Sequence, residues 1–193
     1  MIGNMDKRIG VLKYRNNQWA KEGSIWGLVE EKLQRRIYSN NGIAANTTVY
    51  VTTYKDNKVS FCDLLEFDGG KHIITASLPK DNKLFCDLVC SRVLVKTFEY
   101  ETKSETLDEF NRVVRENESV VRFDGILAEK YAKTEDEKAH SAEEQRFVLI
   151  VPKPFALNLG TVLKADGVAY VAKARHENGE YMNEYEIVAE GDV

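Results

Sequence analysis

The sequence predicts a mainly β protein: two tandem small antiparallel β-barrel or sandwich domains, residues 1–97 and 98–193, joined by a short helix. Three observations predict it. Short alternating apolar segments recur roughly every 8–12 residues between Gly, Asn and Asp turns. The chain matches itself when slid by about 98 residues, and fixed-period self-similarity is the mark of a repeated unit. Between the two copies, Thr106-Leu107-Asp108-Glu109 has the form of a capping box, followed by apolar residues at helical spacing.

The first copy opens with a short strand over residues 8–14. A second follows over 25–33, where Ile25, Gly27 and Val29 alternate with Trp26 and Leu28. A polar stretch from Gln34 interrupts the pattern. Four β segments then run over 47–54, 59–67, 72–77 and 84–95. Asp68-Gly69-Gly70 is a tight hairpin turn of the kind that needs positive φ, and Asp56-Asn57 and Lys80-Asp81-Asn82 are also turn chemistry. Residues 107–117 read as a short amphipathic helix through Leu107, Phe110, Val113 and Val114. The second copy repeats the order: 120–131, a charged stretch from Lys133, then 146–151, 161–165, 169–175 and 181–189. Asp166-Gly167 and Asn178-Gly179 supply its turns, and Pro152 and Pro154 mark an edge strand or a strand end.

The internal match is ungapped. WGLVEEKL from Trp26 falls on DGILAEKY from Asp124, with Gly27/Gly125, Glu31/Glu129 and Lys32/Lys130 identical. LLEFDGGKHIITA from Leu64 falls on VLKADGVAYVAKA from Val162, with Leu65/Leu163, Asp68/Asp166, Gly69/Gly167 and Ala76/Ala174 identical. VYVTTY from Val49 falls on FVLIVP from Phe147, and His72 falls on Tyr170, which favours aromatic-like packing over catalysis for that histidine.

Composition excludes several classes. With 12 Gly and 3 Pro in 193 residues, the chain is no collagen or low-complexity linker. Its longest apolar run, residues 147–151, falls far short of the roughly 20 residues a bilayer helix needs, so no membrane partner is expected. The N-terminus lacks the apolar region of a secretory signal. Cys62, Cys86 and Cys90 form neither a disulfide framework nor a CxxC pair. Cys86, Leu88 and Cys90 alternate on one face, as packed apolar residues do. No Walker loop, GxGxxG, GxSxG or HExxH occurs, so no catalytic residues, metal site or cofactor are expected.

Charge is divided between the halves. Residues 1–97 hold 15 Lys and Arg against 10 Asp and Glu, a balance of +5. Residues 98–193 hold 12 against 21, a balance of −9, and the two recover the net −4 of the chain. Such polarity steers head-to-tail association. Lys55, Lys58 and Lys71, with Arg35, Arg36 and Lys83, are candidate basic contacts to phosphates; scattered surface lysines and arginines are the plainer reading.

The order of features in residues 7–95 resembles the phage head–tail joining family, also called head-closure or stopper proteins. The residues that carry it are RIGVLKY from Arg8, IWGLVEE from Ile25, TTVYVTTY from Thr47, FDGGKHIIT from Phe67 and LVCSRV from Leu88. The same order recurs more weakly over 123–190. Gly27 stands where alanine often follows the tryptophan, Phe123 or Asp124 stands where the second copy would have tryptophan, and members of the family are typically single domains of half this length. The resemblance implies a virion protein assembled in the cytoplasm of a bacterial host. It implies a ring beneath the portal, partnered by portal or adaptor and tail proteins and touching packaged DNA non-specifically. It makes residues 34–46, with Arg35, Arg36, Tyr38, Asn40 and Asn41, a lumen or docking loop. Residues 133–145, with Lys133, Glu135 and Lys138, become its counterpart. A hexamer of two-barrel chains presents twelve units, which favours a hexamer over a dodecamer. A tandem OB-like nucleic-acid-binding protein, which needs exposed aromatics on one barrel face, is the alternative, as is a related tail-completion or neck protein.

Overall fold

A computed structural model describes residues 5–32, 48–55, 59–80, 84–107, 113–129, 146–178 and 181–190. Eleven strands make up the regular structure of these residues: β1 (Lys7–Arg15), β2 (Gln18–Lys32), β3 (Thr48–Tyr54), β4 (Leu64–Phe67), β5 (Gly70–Pro79), β6 (Phe85–Leu107), β7 (Val113–Glu129), β8 (Arg146–Pro152), β9 (Val162–Ala165), β10 (Val168–Asn178) and β11 (Met182–Ala189). All pairings are antiparallel, as tight turns between consecutive strands require.

Six strands close on themselves. β3-β2-β1-β4-β5-β6 are neighbours in that order, and β3 also pairs with β6. Closure removes the free edges that an open sheet of this size would expose. The interior takes every second residue: Ile9, Val11, Ile25, Val49, Val51, Leu65, Phe67, Ile74, Cys86, Leu88 and Cys90. The cysteine alternation expected from sequence thus lies inside the barrel. His72 is buried there too, stacked on Phe67 with ring centroids 4.0 Å apart.

β6 does not stop at the rim. Its residues up to Val93 pair with β5, and from Leu94 onward it pairs with β7. From there the order runs β6-β7-β8-β11-β10-β9, and β9 returns to β6 at Glu99↔Lys164. A second core fills this circuit, with Phe98, Phe123, Leu149, Leu163, Tyr170, Tyr185 and Ile187 each nearly inaccessible. The chain after β8 tucks Phe155 and Leu157 into it. Phe155 stacks on Phe123 at 4.2 Å, and Asn183 Nδ2 donates to the Phe155 carbonyl at 2.9 Å. Pro152 is the last residue of β8, a strand end.

The registers of the two halves correspond. Leu28↔Thr52 becomes Ile126↔Ile150, and Glu66↔Lys71 becomes Lys164↔Ala169, each residue 98 positions on. The bulge between Ile74 and Ala76 recurs between Ala172 and Ala174. Asp68-Gly69 and Asp166-Gly167 both turn with positive φ, at 50° and 67° against 49° and 80°. For β1 the shift is 89: Lys7↔Gly27 becomes Lys96↔Gly125, and Gly10↔Glu66 becomes Glu99↔Lys164. An ion pair repeats with it, Lys7 with Asp68 and Lys96 with Asp166 at 2.9 Å.

One expectation is overturned. The joining helix over residues 107–117 is not formed: β6 extends through Leu107, and β7 begins at Val113 and pairs back along it as far as Leu94↔Leu127. A lone helix of this length is marginal in water. The fourteen residue pairs of this ladder, with one register shift between Thr106 and Leu107, provide backbone hydrogen bonding instead. The β-branched Val113 and Val114 suit a strand at least as well as a helix.

Gly125 shows how tightly the second core is filled. A Cβ there would stand 2.4 Å from Leu149 Cδ1 and 3.4 Å from Phe98 and Val151. Gly125→Ala should therefore destabilise by about 1–3 kcal/mol through overpacking, read from urea unfolding. A loss near zero would mean that this core yields freely.

Candidate functional site

Of the predicted site residues the structure describes Lys55 and Lys71, and it separates them. Arg35, Arg36, Tyr38, Asn40, Asn41, Lys58, Lys133, Glu135 and Lys138 lie outside the described residues. Lys55 follows β3, with its N–H donating to the Leu84 carbonyl at 2.9 Å. Lys71 pairs with Val93. Leu84 and Val93 lie nine residues apart along the chain, so Lys55 and Lys71 mark opposite ends of the barrel, roughly 30 Å apart along an extended strand.

What the fold does bring together is an aromatic row on the outer face of β2, β3 and β6. Gly27 pairs with Thr53, so the register sets Trp26 beside Tyr54. Tyr54 pairs with Phe85, and their rings lie 4.9 Å apart. Trp26 is 54% exposed and Tyr54 53%. Beside them sits a compact polar group: Thr52 Oγ1 donates to Asp87 Oδ1 at 2.5 Å, and Lys80 Nζ lies 3.0 Å from the same carboxylate oxygen. In the sequence Trp26 marks a strand, the internal repeat and the family resemblance, and not a surface. Its outward direction was present in the alternation with Ile25 and Gly27, both of which point inward.

The matching position on the second half is Asp124, and it is buried. Its carboxylate accepts hydrogen bonds from the Trp19 N–H at 3.1 Å and Thr97 Oγ1 at 2.7 Å. Its own N–H donates to the Asn17 carbonyl at 2.7 Å, and Tyr14 Oη donates to the Asp124 carbonyl at 3.3 Å. The β1–β2 hairpin, turning through Asn16 and Asn17 at positive φ, is therefore docked on β7. Around this polar joint lies a third core that spans the two halves: Leu12, Trp19, Leu64 and Ile73 against Ile126 and Ile150. Burial and the nearby Asp124 charge raise the Tyr14 phenol above its ordinary range. Trp19 Nε1 donates to the Cys62 carbonyl at 3.1 Å, and Phe61 stacks on Tyr181 at 5.5 Å, closing the side of the joint.

Burial holds the thiols of Cys62 and Cys90 up at about 12, so neither is a ready nucleophile. Among the described residues no group of three His, Cys, Asp or Glu is placed to hold a metal ion. No protein-family model, curated protein or solved structure matches the chain.

Two outcomes follow from this geometry. Asp124→Ala leaves the Trp19 N–H and the Thr97 hydroxyl without their acceptor and should cost about 1–3 kcal/mol, read from urea unfolding followed by tryptophan fluorescence. Stability equal to wild type would show that the halves are not held there. The second concerns His72, whose Nδ1 has no hydrogen-bond partner among the described residues and whose pKa is lowered by burial. The unfolded imidazole takes up a proton below about pH 6.5 while the folded one resists. Stability should therefore fall as pH drops through that range. Thermal melts of His72→Phe should show a shallower fall than wild type, and equal slopes would remove His72 as the cause.

Proposed function

We propose that this chain is a structural connector of a phage or prophage-like particle, made of two tandem six-stranded barrels and assembling with its own copies at the head–tail interface. The observation that carries the proposal is the face-to-face joint at Asp124, where one barrel-forming half already packs on a second half of the same register. A unit with this joint is suited to tiling, and tiling needs no catalytic centre. The feature order shared with head-closure proteins supplies the particular setting. In that setting a hexameric ring would present twelve barrels to portal or adaptor and tail, with residues 34–46 and 133–145 as lumen or docking loops near packaged DNA. The polarity of charge between the halves supports an ordered, directional contact.

The test is assembly of particles in the chain's absence. Disruption of its gene should yield heads that lack tails and lose their DNA, and purified chain added to such heads should restore joining. Fully joined, infectious particles without the chain would overturn the proposal.

One observation favours a second reading, a tandem nucleic-acid-binding module. The Trp26–Tyr54–Phe85 row is the kind of aromatic platform on which single-stranded bases stack. In that case an oligonucleotide should quench Trp26 fluorescence at low salt, with binding lost in Trp26→Ala. No quenching at low salt removes the reading.

A further inference from the structure

The outer faces of the two halves correspond position by position and differ in what covers them. On the second half, Ile126, Val148, Ile150 and Met182 pack with Leu12, Trp19, Leu64 and Ile73 of the first, and Asp124 receives the Trp19 N–H. Their register counterparts on the first half are Leu28, Tyr50, Thr52, Phe85 and Trp26. There Trp26 and Tyr54 are open to solvent, while Thr52 is covered by Asp87 and Lys80. An exposed aromatic row of this kind marks an interaction surface.

The covering face has a counterpart as well. Leu12, Leu64 and Ile73, on β1, β4 and β5, correspond to Glu101, Val162 and Val171 on β6, β9 and β10. The surface there is an open concavity whose lining includes Glu99, Glu101, Val120, Val162 and Lys164. Val120 is 57% exposed and Val162 43%. The internal joint uses one face of each kind. One further face of each kind remains, one on each half.

We infer that a second copy of this chain covers the Trp26 face, its β6–β9 concavity seated on β2, β3 and β6 of its neighbour, so that the contact between chains repeats the joint within the chain. The inference rests on the self-assembly part of the connector reading and names its interface. The charge of the halves favours this occupant. Arg8 pairs with Trp26 across β1 and β2, and Lys55 follows Tyr54; at the concavity Glu99 and Glu101 are ion-paired with Arg122 and Lys164, so the complementarity belongs to the halves as wholes and not to these side chains. The half bearing Trp26 carries +5 and the half bearing the concavity −9. Because the two surfaces differ, the contact is heterologous. Its repetition closes into a ring or runs on as a filament.

The test is complementation between two blocked chains. Trp26→Glu removes the aromatic face and leaves the concavity intact; Val162→Glu does the reverse. Both positions are exposed, so each variant should melt like wild type. Wild type should form higher oligomers by sedimentation velocity, and each variant alone should associate roughly tenfold more weakly or not at all. An equimolar mixture of the two should form dimers and nothing larger. Variants that still assemble alone, or a mixture that stays monomeric beside an assembling wild type, overturn the inference and leave the connector reading standing. A wild-type chain that stays monomeric at its highest soluble concentration also overturns it, and the connector reading then stands or falls on particle assembly. If Trp26→Glu loses only oligonucleotide binding, the face belongs to nucleic acid and the inference is wrong.

Discussion

Because β6 runs unbroken from Phe85 to Leu107, its first residues complete one hydrogen-bonded circuit and its later ones begin another. Breaking register in either circuit would turn β6's inward side chains outward in the other as well, since a slip of one residue reverses every side chain. Cys86, Leu88 and Cys90 point into one core, and Phe98 points into the next. The joint at Asp124 is then a consequence of geometry. With β6 common to both circuits, the β1–β2 hairpin is carried alongside β7, where the Asn17 carbonyl meets the Asp124 N–H. The carboxylate satisfies the Trp19 N–H that burial would otherwise leave without water or partner.

The strands were legible because each depends on a local signal. Alternation put Cys86, Leu88 and Cys90 on one packed face, and they line the first core. The two Asp-Gly pairs marked turns that require positive φ, which L residues other than Asn and Asp rarely accept. The signal at residues 107–117 misled because spacing cannot tell a short amphipathic helix from two strands folding back on each other, as Leu107 with Val113 and Ser104 with Asn117 do. The match between the copies also missed β1. Its counterpart within β6 lies 89 residues on rather than 98, because the hairpin leading into β7 is longer than the one through Asn16 and Asn17. An ungapped comparison anchored on Trp26 passes over it.

The site was less legible, for a different reason. Asp124 stands where Trp26 stands in the first copy, and from sequence this resembles simple divergence. In the structure the two residues occupy one register position in opposite environments: a buried carboxylate with its acceptors filled, and an exposed indole. No local pattern distinguishes them, because what covers Asp124 comes from residues more than a hundred positions earlier. The sequence difference between the copies therefore records which surface is covered within the chain.

That asymmetry also bears on what the exposed face is for. A cross-strand aromatic pair such as Trp26 and Tyr54 adds at most about 1 kcal/mol to a monomer, while such a patch raises the risk of non-specific association. The barrel does not need them there. The interior positions on the same strands, Ile25, Val51 and Thr53, supply the core. The neighbouring Thr52–Asp87–Lys80 group shows that this outer face readily accommodates polar residues. An aromatic row kept on a surface whose counterpart is already buried by a matching unit is best explained by a partner. A further unit of the same shape, drawn from the half of opposite net charge, meets that requirement without any new kind of contact.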